Sequence, residues 1–98
     1  MKAEPVIQDR IEIADDAVAH VVIWQLAQPL PGSAHLFKYR LAYVVSGECV
    51  LRFDNESGKG DHWHQGAREL PYRFAGVPAL MADFMAEIAR WNDENGCL

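Results

Sequence analysis

The chain has 98 residues, half of them hydrophobic, and a net charge of −5. That length holds one domain, 1–98, and that share of apolar residues builds a core without staples. Cys49, inside an apolar run, and Cys97, beside the C-terminus, make no disulfide framework and read as reduced thiols of a cytoplasmic protein. Acidic residues stand where a secretion signal needs a basic start, and no window nears the ~18 continuous apolar residues of a membrane span.

A pI near 5.2 argues against long-range attraction to phosphate backbones. The charge is uneven, however. From His35 to Phe74 six basic side chains stand against five carboxylates, a balance of +1, and three of the four histidines fall there. The rest of the chain sets three basic residues against nine acidic ones, −6. The middle is where an anion could be received, although any sheet also needs a solvated face.

Along the chain, Ile11-Glu12-Ile13 alternates, Asp15-Asp16 marks a turn, and Val18 to Leu26 is β-branched and apolar on both faces, which predicts a first hairpin. Pro29, Pro31 and Gly32 then break the chain into a loop. Phe37, Tyr39, Leu41, Tyr43 and Val45 alternate with Lys38, Arg40, Ala42 and Val44, and after Ser46-Gly47 the pattern resumes with Cys49, Leu51 and Phe53. A two-residue turn would oppose Leu41 to Arg52, mixing core and solvent faces. A three-residue loop, Val45-Ser46-Gly47, pairs Tyr43 with Cys49, Leu41 with Leu51 and Tyr39 with Phe53, and so is the expected register. It turns Cys49 to the core and sets Lys38 across from Asp54.

Residues 55–70, with three glycines and few apolar side chains, read as a loop, and Pro71 to Phe74 as a short edge strand. From Pro78 onward Leu80, Phe84, Ile88 and Trp91 recur at helical spacing, and Gly96 follows the end. The expected fold is α+β: an antiparallel sheet of four or five strands with one C-terminal helix on its apolar face. The charged face of the sheet is left uncovered.

The residues able to do chemistry lie on and beside that face. His62 and His64, at i and i+2 of an extended segment, point the same way ~6.5–7 Å apart along the strand. Two such imidazoles can flank a phosphate as acid and base, because histidine titrates near neutral pH. They can equally hold a divalent metal with Asp54 or Asp61 as a further ligand. Trp63 points to the other side. Arg40 and Arg52 can clamp a phosphate, Lys59 can reach one from the Gly58-Lys59-Gly60 turn, and Asp54 can orient a histidine or hold Lys38. No serine or cysteine triad is available.

Taken in order, Lys38-Tyr39-Arg40, then Arg52-Phe53-Asp54-Asn55, then Gly58-Lys59-Gly60-Asp61-His62-Trp63-His64, and Pro71-Tyr72-Arg73-Phe74 resemble the TumE family of toxin components. The likeness covers nearly the whole chain, including Trp24 and Ala82 to Phe84. Phe53 stands where tyrosine is common, and Asp16-Ala17 where a glycine turn is usual. The resemblance implies a toxin of a type II toxin–antitoxin system, neutralised by a cognate helix-turn-helix antitoxin.

Joined to the histidines, it leads to the expectation of a small ribonuclease that needs no cofactor. His62, His64, Lys59, Asp61 and Asp54 are its catalytic residues; Arg40, Arg52, Lys38 and Tyr72 bind the RNA. Two alternatives stay open: a metal-dependent nuclease built on the same residues, and a non-enzymatic toxin that blocks a host protein. Self-association into a homodimer is left open as well.

Overall fold

The computed structural model describes residues 3–96. Six strands run in chain order, β1 (Ala3–Ala14), β2 (Ala17–Leu26), β3 (Phe37–Val45), β4 (Glu48–Glu56), β5 (Gly60–Gln65) and β6 (Arg68–Pro71), and one helix, α1 (Val77–Glu94), follows them. Each strand pairs antiparallel with the next, so the sheet is a six-stranded meander of order β1-β2-β3-β4-β5-β6. This is the expected α+β architecture with one or two strands more.

The additional strands lie where a loop was expected. Gly58, Gly60 and Gly66 take positive φ of 85°, 76° and 58°, so they shape the turns and the entry to β5 rather than dissolving the segment. Between them β5 is polar except for Trp63, whose ring stacks on that of its cross-strand partner Phe53 at 5.3 Å. The edge strand is Arg68–Pro71, ending where Pro71 to Phe74 was expected to begin.

The β3–β4 register also differs from expectation. Val45 opposes Glu48 across a two-residue Ser46-Gly47 turn, with φ of 51° and 79°, the two left-handed residues of a tight hairpin turn. Ser46 tolerates that conformation because it is tied to the first hairpin: its N–H donates to Asp16 O at 2.7 Å and its hydroxyl to Asp16 Oδ2 at 2.8 Å. A bulge then restores the phase. Val44 pairs with Cys49 but Tyr43 with Leu51, so Leu51 and Phe53 regain the core face opposite Tyr43 and Leu41. Cys49 is exposed rather than buried, and Asp54 lies across from Arg40, not Lys38. Cys97 falls outside the described residues.

The core is the face shared by Ala19, Val21 and Ile23 of β2, Tyr39, Leu41 and Tyr43 of β3, and Leu51 and Phe53 of β4. Helix α1 covers it with one row at i, i+4 spacing: Leu80, Phe84, Ile88 and Asn92. Removing the Phe84 ring, fully buried and edge-on to Phe53 at 5.8 Å, costs about 3–5 kcal/mol in such a setting. Asn92 belongs in the row because its Oδ1 accepts the Tyr43 hydroxyl proton at 2.6 Å, while Trp91 meets Tyr43 edge-on. With the apolar side so occupied, the alternate residues of every strand form the opposite, open face.

Candidate functional site

The register across five strands, β2 to β6, sets the open face in rows. One row runs Val22, Arg40, Asp54, His62, Pro71; the next runs His20, Ala42, Arg52, His64, Glu69. Strand alternation thus gathers Arg40, Arg52, Asp54, His62 and His64 at the middle, and Lys38 lies one same-face step along β3 from Arg40, opposite Trp24. Among these residues Lys38, Arg40 and Arg52 stand against Asp54 and Glu69, an excess of one positive charge before either histidine is counted.

The contacts among these groups are close. Asp54 Oδ1 lies 2.7 Å from His62 Nε2 and Asp54 Oδ2 lies 3.0 Å from Arg52 Nε. Arg52 Nη2 lies 3.0 Å from His64 Nε2, which is 3.3 Å from Glu69 Oε2. The two imidazole rings stand perpendicular with centroids 5.0 Å apart. Asp54 and His62 are each 6 % exposed. Their approach is oblique: neither Arg52 Nε nor Asp54 Oδ1, both buried, completes an aligned hydrogen bond.

Donor and acceptor chemistry assigns one proton of the pair. His62 Nδ1 lies 3.1 Å from the Gly60 carbonyl oxygen, which can only accept, so Nδ1 carries hydrogen. Its Nε2 lies 2.7 Å from the Asp54 carboxylate. His64 Nε2 lies between the Arg52 guanidinium, which can only donate, and the Glu69 carboxylate, which can only accept, so either tautomer has a partner there.

Two sequence-expected residues lie elsewhere. Asp61 faces the helix side, where its Oδ1 accepts from the Tyr39 hydroxyl at 2.6 Å and lies 2.9 Å from His35 Nε2. It does fix a histidine tautomer, but that of His35, whose Nδ1 accepts from the Phe37 N–H at 3.1 Å. Burial, then the bond to Asp61, pushes the Tyr39 hydroxyl pKa far above its ordinary value. Tyr72 is also on the helix side, edge-on to Phe53, with its hydroxyl donating to Asp83 at 2.6 Å; burial and that bond raise its pKa as well. Lys59 is exposed on the β4–β5 turn and borders a cleft with His62 and Pro71.

Asp54, His62 and His64 each offer a ligand atom, all within 4.8 Å of one another, a spacing suited to one metal ion. The Arg52 guanidinium already touches two of these three residues, so a dication there is opposed by a fixed positive charge. Asp61, on the opposite face, does not join that set.

Glu69 and Trp24 were not singled out from the residues alone. Glu69 meets His64 only because β6 exists, and β6 was hidden in a glycine-rich stretch. For Trp24 a signal was present: it alternates with Ile23, a fully buried core residue, and so must face away from the helix.

The fold and this cluster define a small α+β domain with an arginine- and histidine-bearing sheet face. The family model of the toxin TumE matches residues 2–92, nearly the whole chain, and the chain belongs to that family of toxins. Comparison with curated proteins and with solved structures gives no match. Among the described residues no helix is long and apolar enough to cross a membrane.

Proposed function

We propose that this toxin acts as a ribonuclease, cleaving RNA by transesterification on the open sheet face. The observation that supports this best is the pair of adjacent imidazoles, with ring centroids 5.0 Å apart, beside an arginine. Arg52 and Arg40 bind the scissile phosphate, and the phosphate takes the guanidinium away from His64. His64 Nε2, released, accepts the proton of a ribose 2′-hydroxyl, and the 2′-oxygen attacks phosphorus. The bond from phosphorus to the 5′-oxygen breaks as that oxygen receives the His62 Nε2 proton, leaving a 2′,3′-cyclic phosphate and a free 5′-hydroxyl.

The remaining groups follow from their places. Glu69 stabilises His64 once it is protonated, and Asp54 holds His62 and Arg52 in register. Lys38 and Lys59 neutralise flanking phosphates. Asp61 and Tyr72 act from the far face, fixing β5 and the segment after β6. A helix-turn-helix antitoxin that covers the open face silences the toxin.

Replacing either His62 or His64 by alanine lowers RNA cleavage by ~10²–10⁴-fold, the usual worth of a general acid or base. Cleavage at wild-type rate in both variants removes the histidines from the mechanism. The spacing of Asp54, His62 and His64 supports a second reading, a metal-dependent nuclease, and chelation separates the two. Acid–base cleavage persists in EDTA; metal-dependent cleavage stops and returns with one added divalent ion.

A further inference from the structure

Trp24 is the one large aromatic of β2 that faces away from the helix, and nothing in the proposed chemistry uses it. It opposes Lys38, one same-face step, about 7 Å, from the row that carries Arg40, Asp54 and His62. Beside it the chain between β2 and β3 builds a wall. Leu26 N–H donates to Leu36 O at 2.7 Å, which closes the loop at its base, and Gly58 N–H donates to Pro31 O at 2.6 Å, which pins its middle to the β4–β5 turn. Gly32 permits that close approach: a Cβ there would lie 3.2 Å from the Gly58 carbonyl carbon, and its φ is +84°.

Trp24, Leu26, Pro29, Leu30, Pro31 and Lys38 thereby line an open, mainly apolar cavity of about 390 Å³, with the Gln28 amide beside them. The cavity is continuous in the sheet with the rows that carry Arg40 and Arg52, so a chain of anions laid along Lys38 and Arg40 of β3 reaches it next. Trp24 makes no side-chain hydrogen bond among the described residues, which leaves its indole N–H available to a ligand.

We infer that this cavity is a base-binding subsite, in which one nucleobase of single-stranded RNA stacks on Trp24 while its phosphate passes Lys38 toward Arg40 and Arg52. A planar aromatic platform with proline and leucine walls fits a planar base, and the flanking ammonium and guanidinium groups fit the phosphate attached to it. The RNA is single-stranded because a base inside a duplex has both faces stacked already. Gln28 is placed to meet the edge of the base. The inference rests on the ribonuclease reading and adds the strand state of the substrate and the residue that grips it.

The test uses the full chain and a fluorescently labelled single-stranded RNA in which 2′-O-methyl groups block cleavage, with an abasic oligomer of the same length beside it. Anisotropy reads binding, and cleavage of the unmodified RNA is followed in parallel. Trp24→Ala is expected to weaken binding of the base-bearing oligomer about 5- to 100-fold, the worth of one stack, with no effect on the abasic oligomer. Trp24→Phe, which keeps a ring and guards against misfolding, stays within a few-fold of wild type. If the wild type cleaves RNA while Trp24→Ala binds it as tightly, or if the abasic oligomer binds equally well, the subsite is wrong and the ribonuclease reading survives. If the wild type neither binds nor cleaves RNA, both fall.

Discussion

His62 is held between two acceptors: its Nε2 lies 2.7 Å from Asp54 Oδ1 and its Nδ1 lies 3.1 Å from the Gly60 carbonyl oxygen. Both side chains are more than nine-tenths buried, and Asp54 in turn reaches Arg52. A buried carboxylate between an imidazole and a guanidinium organises both. Its removal leaves charge without a partner, so Asp54→Ala is expected to destabilise the fold by about 3 kcal/mol in urea titration. The double change Asp54→Ala/His62→Ala recovers part of that loss, a coupling of about 1 kcal/mol or more. Additive losses would mean that the two groups do not act as a pair.

Asn55 is 2 % exposed and stands in for backbone at the end of the β3–β4 ladder. Its Oδ1 accepts from Tyr39 N–H at 2.9 Å and its Nδ2 donates to Phe37 O at 2.7 Å. Asn55→Ala strands two backbone groups at once and is expected to remove about 2–3 kcal/mol of stability, with Asn55→Asp losing the donor half only. A change below about 0.5 kcal/mol would show that water replaces the amide without loss.

Alkaline stability turns on Tyr39. Its folded-state pKa is raised, first by burial and then by the bond to Asp61, above the unfolded value of about 10. Below pH 10 both states keep the proton and the contribution is whole. Above it the unfolded chain releases a proton that the folded chain retains, so stability falls as pH rises toward the folded-state value. Denaturation midpoints are expected to drop steeply above pH 10 and to drop less in Tyr39→Phe. Equal slopes in both proteins would assign the alkaline loss to other groups.

The hairpin register has a chemical reporter. Cys49, paired with Val44 above the bulge, is exposed, so in a Cys97→Ser background its thiol is expected to react with iodoacetamide in the folded protein nearly as fast as in urea. Protection of more than about tenfold would point to the buried Cys49 of the three-residue loop instead.

How far the sequence could be read follows from what each signal depends on. Alternation in β3 and the 3.6 period of α1 are local, and both were legible, as was the common direction of His62 and His64, whereas β2, apolar on both faces in sequence, showed its alternation only in the fold. The bulge beside Val50 was not, because it depends on Asp16 of a different hairpin holding Ser46 at positive φ. The strands β5 and β6 were obscured by glycines that act as turns, and with them went the contact of His64 with Glu69. Asp61 was grouped with the histidines by proximity in sequence, yet adjacent residues of a strand face opposite ways.

The most direct measurement is cleavage of one RNA by the purified chain in EDTA, set against the same oligomer with a single 2′-deoxy nucleotide at the scissile position. The expected result is cleavage of the RNA to a 2′,3′-cyclic phosphate, none at the deoxy position, and a loss of ~10²–10⁴-fold in His64→Ala. Intact RNA, or a deoxy position cut as fast as the ribose, would contradict histidine-driven transesterification.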